Sequence, residues 1–352
     1  MITTSPDRER LRPTSTTAAP RPDVVSPIPD IEPSLIGLPY EIVTEDGLGN
    51  LRFIDLASNT MTTIDAPRGG DMGRLFAGNG WVLIPNGSTE RALAYRDGNS
   101  DPYWVNDFSA WNVLHAQGAA TMWQSDEALS LAGPGNMIEL DPTGAPTGVT
   151  VPVPRVPVHV DADGTFLVEM PGGAFAIGPA GSTRLTTGDV VALGPTVALV
   201  HECDESMTCT YWVVDRTSGE RRELPAVLDG IRLEPIGWWP TSATISPDGM
   251  LAFVLVPVTE GVGRNRFVAF QPTLINLVSA TSAPLDIDPL GWLSGAQWTS
   301  DSQFAMFLAE GELNVYSRAS GTLLPVWSGA RPIRAPQQFA VRPADGTPWS
   351  DR

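Results

Sequence analysis

Short apolar segments alternate with polar turns along most of the chain, and they recur in a fixed order. In residues 241–285, a segment at 242–245 leads into a Ser-Pro-Asp-Gly turn, and the apolar run 250–256 follows. Residues 296–327 repeat this order of segment, turn and segment. Segments of this length, separated by turns rich in Gly, Pro and Asp, predict antiparallel hairpins rather than helices.

The same unit recurs along the chain at intervals of about 35 to 55 residues, as in repeat proteins. Further copies begin near residues 156 and 189, and weaker copies span about 72–105 and 119–151. The first unit, at 40–65, has room for three strands, whereas residues 338–346 have the form of a lone strand and its turn. We therefore predict an all-β fold, a seven-bladed β-propeller whose C-terminal strand closes the first blade. A β-sandwich array and an open solenoid remain alternatives.

The two ends of the chain differ in composition from this repeat. Residues 1–33 are rich in Thr, Ser, Pro, Asp and Arg, which predicts a disordered linker, and residues 347–352 read as a short tail. The domain organisation expected is therefore a single propeller over residues 34–346. We expect no direct membrane insertion, because no apolar run approaches the length of a membrane-spanning helix. A missing upstream signal or anchor, or a mis-assigned start, stays open.

The charge balance excludes some partners. The chain carries a formal net charge of -18, and its 22 basic residues are all arginine. Such an acidic surface repels phosphate groups, so we expect neither nucleic acid nor anionic lipid as a direct partner.

The only two cysteines, Cys203 and Cys209, lie on either side of a short loop between two strand-like runs. Antiparallel pairing brings them together, so we predict a disulfide, which indicates a location outside the cytoplasm. Free thiols are one alternative, and a metal site that includes His201 is another. The metal alternative lacks an evident fourth ligand.

The sequence gives little support for catalysis. Only three histidines are present, His115, His159 and His201, and none lies near a nucleophile signature. Neither a Gly-x-Ser-x-Gly elbow nor a phosphate or dinucleotide loop occurs. We therefore predict no catalytic residues, no cofactor and no resident metal.

Two acidic pairs, Asp161 with Asp163 and Asp286 with Asp288, have the oxygen donors that calcium prefers. Ordinary turn chemistry accounts for them equally well, because aspartate in a turn commonly accepts hydrogen bonds from its own backbone. We favour the turn interpretation.

The tryptophans divide into two groups. Trp123 and Trp298 fall on predicted strands and are expected to pack in the core. Trp238, Trp239 and Trp292 fall in connections between blades, near a face of the ring. Because tryptophan is enriched at binding hot spots, these three are the candidate binding surface.

Three stretches carry a resemblance to a known group: Leu-Arg-Phe-Ile-Asp-Leu at 51–56, the cysteine hairpin that runs to Gly219, and Ile-Ser-Pro-Asp-Gly at 245–249. Across about residues 35–346 the chain resembles the poorly characterised WD40-like or TolB-like propeller proteins of actinobacteria. The resemblance implies a propeller, often preceded by a membrane anchor and a Pro-rich linker. It brings no catalytic residues with it.

The expected function follows from these observations. We predict a monomeric, non-enzymatic binding module, exported or attached to the cell envelope, that holds a protein or a small ligand. A hydrolase or lyase with a site in the central channel is the main alternative, and a structural accessory domain of an envelope assembly is another. A cytoplasmic location also remains open.

Overall fold

The computed structural model describes most of the predicted domain. The described residues are 23–45, 50–65, 75–86, 91–98, 103–106, 113–116, 119–126, 133–179, 181–206, 208–224, 233, 243–260, 267–288, 293–309, 311–327 and 338–344. Among them, helix is limited to the three-residue 3₁₀ turn Pro33–Leu35, which is far too short to cross a membrane. The fold is all-β, with antiparallel sheets in a propeller-like arrangement.

The first sheet combines both ends of the described chain. Its N-terminal strands are β1 (Asp23–Val25), β2 (Tyr40–Glu45), β3 (Asn50–Asp55) and β4 (Thr60–Asp65). They pair in the order β1-β4-β3-β2. Alternate residues of each strand point to opposite faces, so Ile42 and Val43 pack into two different hydrophobic clusters.

Three four-stranded antiparallel sheets follow along the chain. The second sheet contains β5 (Phe76–Gly78), β6 (Trp81–Asn86), β7 (Arg91–Arg96) and β8 (Tyr103–Asn106). The third contains β9 (Val113–Leu114), β10 (Met122–Ser125), β11 (Gly135–Leu140) and β12 (Pro146–Val153). The fourth contains β13 (His159–Val160), β14 (Phe166–Met170), β15 (Gly173–Gly178) and β16 (Gly181–Thr186).

The next sheet has eight strands. Its first half is β17 (Asp189–Leu193), β18 (Val197–Cys203), β19 (Cys209–Asp215) and β20 (Arg221–Glu223). Its second half is β21 (Thr244–Ile245), β22 (Leu251–Glu260), β23 (Phe267–Asn276) and β24 (Thr281–Pro284). Each half is an antiparallel meander, and the halves join where Leu193 pairs in parallel with Thr244.

This eight-stranded sheet corrects the predicted blade count. The described residues form five sheets of four or five strands and one sheet of eight, not seven separate blades. The difference has a local cause, because two consecutive repeat units share the Leu193 to Thr244 bridge and so count as one hydrogen-bonded sheet.

The last sheet and the closing strand complete the ring. The sheet contains β25 (Leu293–Trp298), β26 (Phe304–Ala309), β27 (Glu312–Ser317) and β28 (Thr322–Pro325). The final strand, β29 (Gln338–Pro343), pairs antiparallel with β2 from Tyr40↔Pro343 to Glu45↔Gln338. The prediction that the C-terminal strand joins the first sheet is confirmed.

The core lies between the sheets, in clusters that each connect two neighbouring sheets or the two halves of the long one. One cluster packs Ile42 and Ile54 of the first sheet against Met306 and Leu308 of the last. The described chain therefore closes on itself by packing as well as by hydrogen bonding.

Residues 23–33 belong to this fold and not to the predicted linker. The strand Asp23–Val25 pairs with β4, and Ile28 and Ile31 are buried against the cluster between the first and last sheets. Residues 1–33 are mostly polar, so their overall composition gives no sign of these few apolar positions. Residues 1–22 lie outside the described part.

Candidate functional site

A cavity of about 560 Å³ lies where the first strands of several repeat units end together. Its walls come from the ends of β13, β17, β21, β25 and β29, from the start of β2 and from Ala116, which follows β9. The cavity therefore lies where several repeat units meet.

The turns that follow the first strands of the repeat units form the rim of the cavity. After β21, the hydroxyl of Ser246 donates to Asp248 Oδ1 at 2.6 Å, and after β25 the hydroxyl of Thr299 donates to Asp301 Oδ1 at the same distance. After β13, the turn reverses at Gly164, whose φ of +77° favours glycine. These turns hold the neighbouring residues, such as Pro247 and Ser300, at the cavity wall.

The polar centre of the cavity is Asp161. Its Oδ1 lies 3.3 Å from His159 Nε2, and its Oδ2 accepts a hydrogen bond from Arg216 Nη2. Burial alone would raise the pKa of Asp161, but hydrogen bonds and electrostatic attraction from His159 and Arg216 outweigh it and hold the pKa below its usual range. The carboxylate is therefore charged at neutral pH.

Arg216 is buried behind this carboxylate. Its guanidinium also donates to the carbonyl of Gly194 at 2.7 Å, so it joins the turn after β17 to the turn after β13. Arg216 was not predicted as a site residue. Its partner Asp161 lies 55 positions away, and no local signal pairs the two.

A second buried arginine supports the opposite wall. Arg342 on β29 donates to Glu41 Oε2 at 2.7 Å, to Asp97 Oδ1 at 2.9 Å and to the carbonyl of Gly78 at 2.8 Å. The side chain is only 2% exposed. Its charge is thus matched by carboxylates on the first and second sheets, and it anchors the closing strand.

The remaining wall is largely apolar. Val160, Leu193, Ile245 and Trp298 line it and are buried, and the indole nitrogen of Trp298 faces the carbonyl of Thr244 at 3.4 Å. The cavity therefore combines an apolar floor with carboxylates at one edge. Such walls suit a ligand that has both an apolar body and a polar group.

The other two histidines lie away from the cavity. His115 contacts the ring of Trp81 and bonds the carbonyl of Ala119 through Nε2 at 3.1 Å. Burial outweighs that hydrogen bond and lowers the pKa of His115 to about 4, so the ring is neutral at physiological pH. His201 is buried in β18 and contacts Asp189.

The predicted disulfide between Cys203 and Cys209 is present. The two residues are direct partners across the β18–β19 hairpin. Together with His201 they form the one grouping of three His, Cys, Asp or Glu ligand atoms close enough for a metal in the described part of the chain.

Two of the four acidic residues, Asp161 and Asp163, make defined side-chain contacts. Asp163 Oδ1 accepts the amide hydrogen of Thr165, and Asp161 is held by its ion pair. Asp286 and Asp288 are both exposed. Within the described ranges, none of the four belongs to a metal-type grouping.

The predicted tryptophan surface stays a prediction, because Trp238, Trp239 and Trp292 lie outside the described residues. The two tryptophans assigned to packing are buried, with Trp298 on β25 and Trp123 on β10.

Comparisons with known proteins support the fold and leave the activity open. No protein-family model matches the chain, and no curated protein matches it. Solved structures do match, at low identity.

A protein of unknown function from Desulfotomaculum acetoxidans is 16% identical, with 88% of this chain and all of that one covered and a TM-score of 0.47. TolB from Acinetobacter baumannii is 11% identical over 86% of this chain and 66% of its own, with a TM-score of 0.44. A puromycin-hydrolyzing peptidase of Mycobacterium tuberculosis is 12% identical over 82% of this chain and 51% of its own, with a TM-score of 0.50.

These likenesses concern the fold. TolB is among the structural neighbours. The comparisons support neither an actinobacterial origin nor a WD40 group.

Proposed function

We propose that this chain is a non-enzymatic binding module that holds a small organic ligand in the cavity where several repeat units meet. The observation that carries the proposal is the cavity of about 560 Å³ at the ends of the first strands. This volume falls within the range of small-molecule sites, about 300 to 1,000 Å³.

The chemistry of the walls selects the ligand class. Arg342, which lines the cavity, and Arg216, behind Asp161, are both already paired with carboxylates, so neither recruits an anion. Asp161 is likewise paired with Arg216, but the exposed Asp163 presents negative charge at one edge, beside the apolar floor. The ligand is therefore an apolar body that carries an amine or another hydrogen-bond donor.

A ligand-observed NMR screen tests this proposal. The probes are matched fragments that share a phenylalkyl body and differ only in an amine or a carboxylate head group. We expect the amines to bind the wild-type protein more tightly than the carboxylates. Asp163→Asn should weaken amine binding several-fold, because it removes one carboxylate from the rim.

A bulky substitution in the cavity wall tests whether the fragments bind in the cavity. Ala162→Trp places a large side chain at an exposed position of the cavity wall, so it should block the fragments without disturbing the core. Ala319→Trp, at an exposed turn between β27 and β28, is the matched control. Preference for carboxylates, or binding that survives Ala162→Trp, would contradict the proposal.

A hydrolase is the second candidate, and one observation favours it. Ser300 lines the same cavity as the contact between His159 and Asp161, which are the residue types of a nucleophile, a base and an orienting group. Labelling of Ser300 by a fluorophosphonate, lost in His159→Gln, would support this candidate. Absence of labelling on the wild-type protein would leave the binding module as the better account.

Location and assembly are part of the same proposal. The disulfide is compatible with an exported or envelope-associated protein, and we propose that this protein acts as a monomer. Intact mass of the protein from fractions of its host, with and without reductant, tests this. Free thiols on a cytosolic chain would overturn the export proposal.

A protein partner is the alternative ligand, on the prediction from the sequence that Trp238 and Trp239 belong to a binding surface. Replacing Trp238 and Trp239 with alanine should then weaken partner binding without unfolding the domain. Global unfolding, measured by circular dichroism, would instead assign both residues to packing.

A further inference from the structure

Three soft metal ligands converge at the end of the β18–β19 hairpin. His201 and Cys203 are two positions apart on β18, so they share one face of the strand, and Cys209 is the direct partner of Cys203 on β19. A ring nitrogen of His201 and the two sulfur atoms all lie within 4.8 Å of one another.

The surroundings of His201 resemble those of a histidine that binds a metal. His201 is only 1% exposed, and its Nε2 lies 3.0 Å from Asp189 Oδ2. In the neutral tautomer whose Nε2 donates its hydrogen to this carboxylate, the lone pair of Nδ1 is available to a metal. In the described part of the molecule this buried Nδ1 has no hydrogen-bond partner. A carboxylate behind a histidine is the usual support of such a ligand.

We propose that this hairpin is a redox-gated zinc site: when Cys203 and Cys209 are reduced, their thiolates and Nδ1 of His201 bind Zn²⁺. Thiolate sulfur and imidazole nitrogen are the donors that zinc prefers in proteins, and three protein ligands leave one position open to solvent. Cys203 is exposed, so the ion can enter from that side. Oxidation removes both thiolates and closes the site.

Reduction of the disulfide precedes metal binding. A dithiol reductant gives two electrons and two protons to the sulfur–sulfur bond and is oxidised to its own disulfide, while Cys203 and Cys209 become thiols. Zn²⁺ then displaces one proton from each thiol as two zinc–sulfur bonds form, and it accepts the lone pair of His201 Nδ1.

Cobalt titration of the full chain tests the proposal. The protein is reduced without air by a phosphine, which is oxidised to its phosphine oxide, and Co²⁺ is added as a spectroscopic substitute for zinc. We expect reduced protein to bind about one equivalent, with a thiolate-to-cobalt charge-transfer band in the near ultraviolet. Zinc should displace the cobalt, and the oxidised protein should show no band.

Variants identify the ligands. Cys203→Ala with Cys209→Ala should abolish the band, and His201→Gln should keep the band but weaken binding. His115→Gln, beside another sheet, is the matched control and should bind like the wild type. Asp189→Asn leaves all three ligands in place and should lower affinity about 10- to 100-fold, because it frees the histidine ring.

The site is rejected if reduced wild-type protein binds no more cobalt than the double cysteine variant, or if neither His201→Gln nor Asp189→Asn weakens binding. Far-ultraviolet circular dichroism checks that each variant is folded. Should His201→Gln unfold, the exposed Asp189 provides the decisive variant.

Discussion

At the scale of single residues, the buried arginines hold separate parts of the chain together. Arg342 reaches Glu41, Asp97 and the carbonyl of Gly78 at once. A guanidinium offers five donors in a planar fork, so one side chain can join several elements, which an ammonium group does less well. The chain contains no lysine. At these buried sites, the planar guanidinium of arginine is what lets one side chain join several elements.

Arg342→Met should therefore lower the free energy of unfolding by about 3 to 5 kcal/mol, because Glu41 would stay buried without its counter-charge. Urea unfolding followed by tryptophan fluorescence measures this loss. Arg318→Met is the control, since the Arg318 to Asp248 pair is partly exposed and should contribute less than about 1 kcal/mol.

Glu41→Gln combined with Arg342→Met should recover part of the loss, because it removes the uncompensated charge. Equal losses for Arg342→Met and Arg318→Met would show that the buried pair does not stabilise the closure.

Glu202 gives the stability a dependence on pH. Burial alone would raise the pKa of Glu202, but hydrogen bonds from Thr186, Thr187 and Arg221 outweigh it and lower the pKa to about 2. A carboxyl whose folded pKa lies below its ordinary value of 4.5 stabilises the fold above that value. The contribution is lost as the pH falls from about 4.5 to about 2.

Glu202→Gln should therefore cost about 1 to 2 kcal/mol at pH 7, a figure reduced for solvent screening. The difference from the wild type should shrink at pH 3 and vanish near pH 2. Urea unfolding of both proteins at these pH values measures it. A difference that does not change with pH would mean that the charge of Glu202 has no role.

At the scale of elements, tight turns set how closely strands approach. In the β14–β15 turn, Gly172 and Gly173 both have positive φ, +99° and +128°. A Cβ on Gly172 would point into open space, whereas one on Gly173 would lie 1.8 Å from the carbonyl oxygen of Thr186. The start of β15 can thus pair with the end of β16 only if residue 173 lacks a side chain.

Gly173→Ala should destabilise the protein by at least about 2 kcal/mol more than Gly172→Ala. Both changes carry the cost of a left-handed alanine, about 1 to 2 kcal/mol, and only the first also displaces the backbone of β16. Thermal unfolding of the two variants measures the difference. Equal stabilities would contradict the close approach.

Some elements of the fold could be predicted from the sequence and others could not. Alternating apolar positions and Asp-Gly turns are local signals, so the hairpins around Gly164 and Gly249 and the closing strand β29 were predictable. The strand Asp23–Val25 was missed, because its pairing with β4 depends on residues far along the chain. The Leu193 to Thr244 bridge was missed for the same reason.

The candidate site was less predictable than the fold. Its rim turns were visible in the sequence, but the ion pair of Asp161 with Arg216 forms between different sheets. Such a pair is set by how the sheets pack, and a single sequence carries no periodic signal for it. The cysteine pair was predicted because Cys203 and Cys209 are close in sequence and flank one turn.

At the scale of the whole molecule, β29 is the element on which closure depends. It covers the edge of β2 and gives Phe339 and Val341 to the cluster with the last sheet. It also gives Ala340 to the cluster with the second sheet. An uncovered strand edge exposes unpaired backbone groups and invites association with other chains.

A chain that ends at residue 337 should therefore lose much of its stability and form oligomers, whereas a chain that ends at residue 344 retains β29 and should behave like the full-length protein. Size-exclusion chromatography and urea unfolding compare the two. Because β29 is a separate strand that pairs with β2, a synthetic peptide of residues 338–344 added in excess should restore monomers by mass action. If the chain ending at residue 337 stays monomeric and unfolds at the same urea concentration as the control, packing between the sheets closes the ring without the strand, and the buried network around Arg342 is dispensable for assembly.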